Sequence, residues 1–355
     1  MPPRQFADGA RGAPLEALAA AALFGAATPL CKLLVYRMPA LELAGLLYLG
    51  AALAMLPLAA RGGWGRLDAA NRRRLTGVVV LGGIVAPVLV LLALRIAAAA
   101  TVSLLLTLEV AATAVLGALF FRDALGGRGW AGIAGILAAG AGLAWAGGPP
   151  AALTAVLVGL ACLAWGLDNN FTALIDAWSP ARVTLIKGLI AGSFNLGLAA
   201  WLTPALPAAL DAAAALAIGA VCYGLSLWLY IRAAQRLGAV RAQATFATAP
   251  FWGVALAALA LGESMPISAV LAMAVAGGSV FLLLRDRHAH GHRHDAVAHV
   301  HSHRHDDAHH DHAHADLPAD TRHSHSHAHA AVEHAHAHLP DLHHRHRHAR
   351  SDDGE

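Results

Sequence analysis

Apolar residues run through the first 284 positions in long blocks, broken by charged residues, Gly/Pro pairs and helix-starting prolines. The blocks fall near residues 14–35, 39–60, 75–95, 98–121, 129–147, 152–175, 181–202, 212–231, 239–261 and 266–284. Each approaches the roughly 20 residues that carry a helix across a ~30 Å hydrocarbon layer. The pattern predicts an all-α integral membrane protein of about ten transmembrane helices. The first run reads as a retained helix, because small residues throughout it leave no distinct cleavage site. After Leu284 the pattern changes: His alternates with Ala, Ser, Asp and Arg, and large apolar residues almost vanish.

Composition supports the division. The chain is 57% hydrophobic and 13% charged, with a mean hydropathy of +0.56, well outside the range of a soluble domain. From Arg285 onward there are 8 Arg against 12 Asp and Glu, a charge of −4 with His neutral; the whole chain is +3, so the body carries +7. That excess is unevenly placed. Arg61, Arg66, Arg72, Arg73 and Arg74 follow the second run, Arg122 and Arg128 the fourth, Arg182 the sixth, and Arg232 and Arg236 the eighth. The other turns hold little beyond Arg37 and Arg95. Lys and Arg concentrate on the cytoplasmic side of membrane proteins, so both termini are expected in the cytoplasm of an inner-membrane protein.

Two halves repeat. An offset of 140 residues places Leu104–Val110 over Ala244–Pro250 and Asp123 over Glu263, while Phe24-Gly25 matches Trp165-Gly166. Five helices per half is an odd number, so the second half must be inverted. This gives a cytoplasmic N-terminus over 1–13, a first repeat over 14–147, a second over 152–284 and a tail over 285–355. Inverted repeats with a site at their interface recur in secondary transporters.

The repeat, the Phe24-Gly25 to Lys32 stretch, Ala100 to Trp145 and Gly238 to Leu284 resemble the EamA-type branch of the drug/metabolite transporter superfamily. The family's Leu-x-x-Leu-Glu-Pro motif, followed by an acidic residue at the helix end, is matched with departures: Val110 follows Glu109, and Ala249 precedes Pro250. The resemblance implies a transporter fold. It leaves the substrate open, since such proteins export amino acids, nucleosides, drugs and other small solutes, and some with His-rich termini are associated with nickel or cobalt resistance.

Polar residues within the spans are the candidate substrate or coupling groups, because each charge costs about 2.5–3.5 kcal/mol at a helix centre. Asp168, Asn169 and Asn170 follow one another in the sixth run and fan over roughly half of a helix circumference. Asp168 is a candidate to bind a cation or to couple transport to protons. Glu109 is the second acid. Lys32 is expected near the end of the first helix, where Glu42 is a possible partner, and Lys187 is expected to snorkel toward a membrane surface. Gln243, Asn195 and Tyr223 are candidates for lining a cavity. Gly132, Gly135, Gly140 and Gly142 are expected to permit close helix approach. Cys31, Cys162 and Cys222 sit in apolar runs without metal-site spacing and read as small core residues.

All 23 histidines lie between His288 and His348. His299, His301, His303 and His305 recur with period two, as do His323, His325, His327 and His329, and His334, His336 and His338; His309, His310, His312 and His314 lie between these runs. Neutral imidazole binds Ni(II), Co(II), Zn(II) and Cu(II), so these residues are the candidate metal ligands. The tail's composition predicts disorder in the absence of metal. No tightly bound cofactor is indicated, and no nucleophile-base pair or phosphate loop points to an enzyme. The expected partners are lipid, metal ions and a small-molecule or ion substrate, without nucleic acid.

Three functions follow. The leading one is an exporter of a divalent transition metal such as Ni or Co, with the tail collecting or sensing it. The alternatives are an exporter of a small organic solute whose tail is a metal-dependent regulator, and a membrane-anchored metal store.

Overall fold

The computed structural model describes residues 12–285 except 61–63, 122–124, 147, 176, 204–206 and 238, together with the strands 289–294, 297–303, 323–329 and 332–337. Among these residues ten helices are long and apolar enough to span a membrane: α1 (Ala13–Leu34), α2 (Ala40–Ala59), α3 (Ala69–Ile96), α4 (Ala99–Phe120), α5 (Gly127–Ala146), α6 (Gly148–Ala173), α7 (Pro180–Leu202), α8 (Ala209–Ala234), α9 (Ala242–Leu261) and α10 (Ile267–Leu284). The expected ten-helix membrane architecture is therefore present. The third helix begins six residues before the apolar run, because Asp68 caps it: its carboxylate accepts from the Asn71 amide at 2.7 Å. Arg72, Arg73 and Arg74 consequently sit on its first turns rather than in a loop.

The two repeats deform at matching places. Helix α3 widens into a π-helix over Val78–Val85, and α8 does so over Gly219–Leu225. Helix α4 breaks at Leu106 and Thr107, and α9 at Ala247 and Thr248. The threonines account for the breaks. Thr107 Oγ1 donates to the Leu104 carbonyl at 2.7 Å and Thr248 Oγ1 to the Thr245 carbonyl at 2.7 Å, competing with the helical ladder. In α9, Pro250 removes one more amide donor.

Packing obeys the same two-fold relation. Helix α2 lies against α7 and α5 against α10, while the first helix of each half crosses into the other: α1 packs on α8 and α9, and α6 on α3 and α4. The Phe24-Gly25 and Trp165-Gly166 landmarks mark those crossings. A methyl group on Gly25 would lie 2.9 Å from the Gly253 amide of α9, and one on Gly166 3.0 Å from the Thr113 amide of α4. Only glycine allows backbones this close, and small residues at crossings are how helices pack in lipid. Gly132 plays that part between α5 and α10, facing the Ser279 carbonyl, whereas Gly142 has open space beside it.

Glu263, just after α9, holds the start of α4. Its two carboxylate oxygens accept from the Ala99 and Ala100 amides, each at 2.8 Å, satisfying two amides that a helix N-terminus leaves free. Asp123, its counterpart, lies outside the described residues.

Within the tail, four short segments have extended backbone, β1 (Ala289–His294), β2 (Val297–His303), β3 (His323–His329) and β4 (Val332–Ala337), with β1 paired to β4 and β2 to β3, both antiparallel; the rest of the tail, and with it the expectation of disorder, lies outside the described residues. The period-two alternation is the strand period, and the β-branched Val297, Val300 and Val332 favour it.

Candidate functional site

The polar residues of α6 meet α3, α4 and α7 rather than lipid. Asp168, buried with 4% of its surface exposed, forms an ion pair with Lys187 of α7 through Oδ2. Thr172 donates to its Oδ1 at 3.3 Å. The expectation that Lys187 snorkels is corrected here: the helix α6 carboxylate offers a fixed counter-charge, which outweighs escape to a membrane surface. The Lys187 ammonium also lies 5.9 Å from the centre of the Tyr48 ring.

The widened turns of α3 form the floor of this cluster. Within an α-helix carbonyls are taken by the ladder; π-helical turns disturb that ladder and recur at functional sites. The Gly82 carbonyl accepts from Tyr48 Oη and, at 3.0 Å, from Trp165 Nε1. Asn195 Nδ2 donates to the Gly83 carbonyl at 3.4 Å. Asn195 is fully buried and its Oδ1 has no hydrogen-bond donor among the described residues. Glycine is required at position 82, because a methyl group there would collide with the Asp168 carboxylate.

A second acid joins from α4. Asn169 Nδ2 donates to Glu109 Oε1 at 3.0 Å and to Thr113 Oγ1 at 3.2 Å. Asn170 Nδ2 donates to the Thr113 carbonyl at 3.1 Å and to the Gly166 carbonyl at 2.8 Å. Asp168, Asn169, Asn170 and Glu109 are thus drawn together, but their roles differ. Asp168 is ion-paired, Asn169 orients Glu109, and Asn170 ties α6 to α4 by backbone carbonyls.

The remaining candidates sit elsewhere. Lys32 donates to the Leu94 carbonyl at 2.5 Å, the Ala97 carbonyl at 2.7 Å and Tyr36 Oη at 3.0 Å; it closes the end of α3 instead of pairing with Glu42. Gln243 accepts from Tyr230 Oη at 2.7 Å. Among the described residues, a chain of rings links it to the central cluster: Tyr230 on Phe246, Phe246 on Phe24, Phe24 on Tyr223, and Tyr223 on Tyr48, with centroids 5.0 to 6.3 Å apart. Of the proposed metal ligands, His299, His301, His303, His323, His325, His327, His329, His334 and His336 lie on the strands. His305, His309, His310, His312, His314 and His338 lie outside the described residues. Among the described residues no group of three or more His, Cys, Asp or Glu could hold a metal ion.

Sequence reading missed Tyr48, Trp165 as a donor, Thr113 and the two glycine carbonyls. The adjacent glycines Gly82-Gly83 inside a Val-rich run were the available signal, since glycine in a span marks close approach.

Ten spans in two inverted halves, with charged and amide side chains gathered on the helices that cross between them, define a secondary-transporter bundle. The chain belongs to the EamA-like transporter family, which it matches twice, over residues 13–145 and 152–285. It is a multi-pass membrane transporter of the drug/metabolite superfamily and, by that family, no enzyme. A solved crystal structure of another protein shares the fold: the TM-score is 0.57 at 16% sequence identity, covering 77% of this chain and 97% of the other. No curated protein matches the chain significantly in sequence.

Proposed function

We propose that this protein is an inner-membrane exporter of a small organic zwitterion, such as an amino acid, and that its His-rich tail is a cytoplasmic metal-responsive element rather than the feed to a metal pathway. The observation that carries this reading is the buried Asp168–Lys187 pair. A free ammonium and carboxylate on one solute can each replace one partner of that pair, so the solute enters without leaving a bare charge in lipid. Tyr48 and Trp165 supply aromatic surface beside the pair, and Asn195 Oδ1 a further acceptor. A divalent metal fits poorly, because Lys187 already neutralises Asp168 and repels a second cation. Glu109 is the only other acid in the cluster, and its carboxylate is engaged by Asn169.

Metal as cargo remains the second reading, favoured by the 23 tail histidines. The experiment separating them is ligand-induced thermal stabilisation of the purified protein truncated after Arg285. A panel of free amino acids is compared with the same compounds blocked at the amino or carboxyl group, and with nickel, cobalt and zinc chloride. Saturating ligand at ~100 times its Kd stabilises by about 2.7 kcal/mol. Stabilisation by a free amino acid, lost on blocking either end, supports the zwitterion; stabilisation by metal alone in the truncated protein sinks it.

A further inference from the structure

A zwitterion carries no net charge, so a membrane potential does no work on it as it crosses. The Asp168–Lys187 pair that receives it is neutral as well. Export against a concentration gradient therefore needs a coupled ion, and the bundle needs a group that takes up that ion on one side and gives it up on the other. Such a group must be tolerated within the span in both of its charge states.

Glu109 meets these conditions. It lies half-buried in the middle of α4, and none of the ion pairs among the described residues includes it. Two features favour its ionised form. The break at Leu106 and Thr107 puts Glu109 in the first turn of the segment Leu108–Phe120, where free backbone amides and the helix dipole attract negative charge. Asn169 Nδ2 donates to its Oε1 at 3.0 Å. Against these stands the cost of a carboxylate without a cation inside a membrane, which favours the neutral form. The titratable groups in electrostatic reach are Asp168 and Lys187, which offset each other, the Cys162 thiol of α6, and the hydroxyls of Tyr48 on α2 and Tyr223 on α8. Helix α9 has no ionisable residue over 242–261, α5 has only Arg128 in its first turn, and those of α1 and α3 lie in their end turns. No cation holds Glu109 ionised throughout.

The same residues give the proton a way out. Asn169 joins Glu109 to Thr113 Oγ1, at 3.2 Å from the latter, and Asn169 is exposed. An amide exposed within a span stands at water rather than lipid. Asn169 is four residues from the end of α6 at Ala173, about 6 Å along the helix, on the side that the arginines assign to the cytoplasm. We propose, on the zwitterion reading of the bundle, that Glu109 is the proton-coupling carboxylate, protonated from outside and deprotonated to the cytoplasm in each cycle, one proton entering for each solute that leaves. The proton adds to a carboxylate oxygen of Glu109 and leaves from the same group to water, so no bond of the solute changes. Asn169 positions the ionised carboxylate, and Asp168 with Lys187 remains the solute's site.

The test uses the full-length protein in proteoliposomes, with radiolabelled amino acids outside and a lumen about one pH unit more acidic. Protons leaving the lumen should draw solute in to about tenfold excess at equilibrium, and a protonophore should abolish the excess. Glu109→Gln is expected to exchange labelled for unlabelled amino acid across the membrane but to accumulate none, whereas Asp168→Asn loses both activities. Glu109→Asp, which keeps an ionisable group, is expected to accumulate solute, and it decides the matter if Glu109→Gln does not fold. Accumulation by Glu109→Gln, its loss of exchange at an unchanged unfolding temperature, or exchange without accumulation by Glu109→Asp overturns the proposal. A parent protein that equilibrates amino acids but never concentrates them overturns proton coupling and leaves the zwitterion reading intact. A parent that moves no amino acid under any gradient overturns that reading itself.

Discussion

The Asp168–Lys187 pair can be dissected by charge without changing size. Side-chain exposure is 6% for Asp168 and 16% for Lys187, so removing either partner strands the other in a low-dielectric bundle. Breaking a buried pair from one side costs about 3–5 kcal/mol, whereas replacing both partners with neutral groups of similar volume is close to neutral. The survivor can lower its own cost by changing protonation, which makes the lower figure the better guide. Asp168→Asn and Lys187→Met should each destabilise the bundle by roughly 3 kcal/mol, a fall of about 5–10 °C on the scaling for soluble domains of comparable size. The double variant should recover to within about 1 kcal/mol of the parent, while transport stays abolished in all three. The assay is thermal unfolding in detergent beside flux in proteoliposomes at matched protein. Single variants as stable as the parent would refute the buried pair. A double variant that transports normally would show that the charges serve packing alone.

Further outcomes follow from the same geometry. Gly82→Ala places a methyl group against the Asp168 carboxylate; overpacking of this kind costs about 1–3 kcal/mol, so a lower unfolding temperature and reduced flux are expected, and a neutral result would contradict the described approach of α3 and α6. Asn169→Leu removes the donor that orients Glu109 and should reduce transport while the Asp168–Lys187 pair persists; unchanged flux would make Glu109 a bystander. A topology reporter fused after Arg287 should read cytoplasmic, and an external signal would break the assignment drawn from the arginines. Metal uptake by the tail should be present at pH 7.5 and lost as pH falls through about 6.5, because only neutral imidazole binds metal; pH-independent uptake would point to carboxylates instead.

The helices were legible because lipid imposes one rule on every span, and ten apolar runs obey it. The repeat was legible through Phe24-Gly25 and Trp165-Gly166, although periodicity alone could not say that these glycines seat α1 and α6 in the opposite half. The partnership of Lys187 was not legible. It depends on the angle at which α7 meets α6, and nothing in a 19-residue separation encodes that angle. Asp168 and Glu109 stood out by their insertion cost; their division of roles needed the positions of Asn169 and Thr113. The wide turns of α3 and α8 leave no trace in hydropathy; the adjacent Gly82-Gly83 signal a close approach, but not that their carbonyls serve as acceptors.

The most direct test of the account is flux through the bundle without its tail. Proteoliposomes holding the protein truncated after Arg285 are loaded either with a radiolabelled amino-acid mixture or with nickel, and release is compared with that from the Asp168→Asn variant and from protein-free vesicles. The account predicts amino-acid release that Asp168→Asn abolishes, and nickel release no faster than from protein-free vesicles. Nickel release that depends on Asp168, with no amino-acid flux, would contradict it.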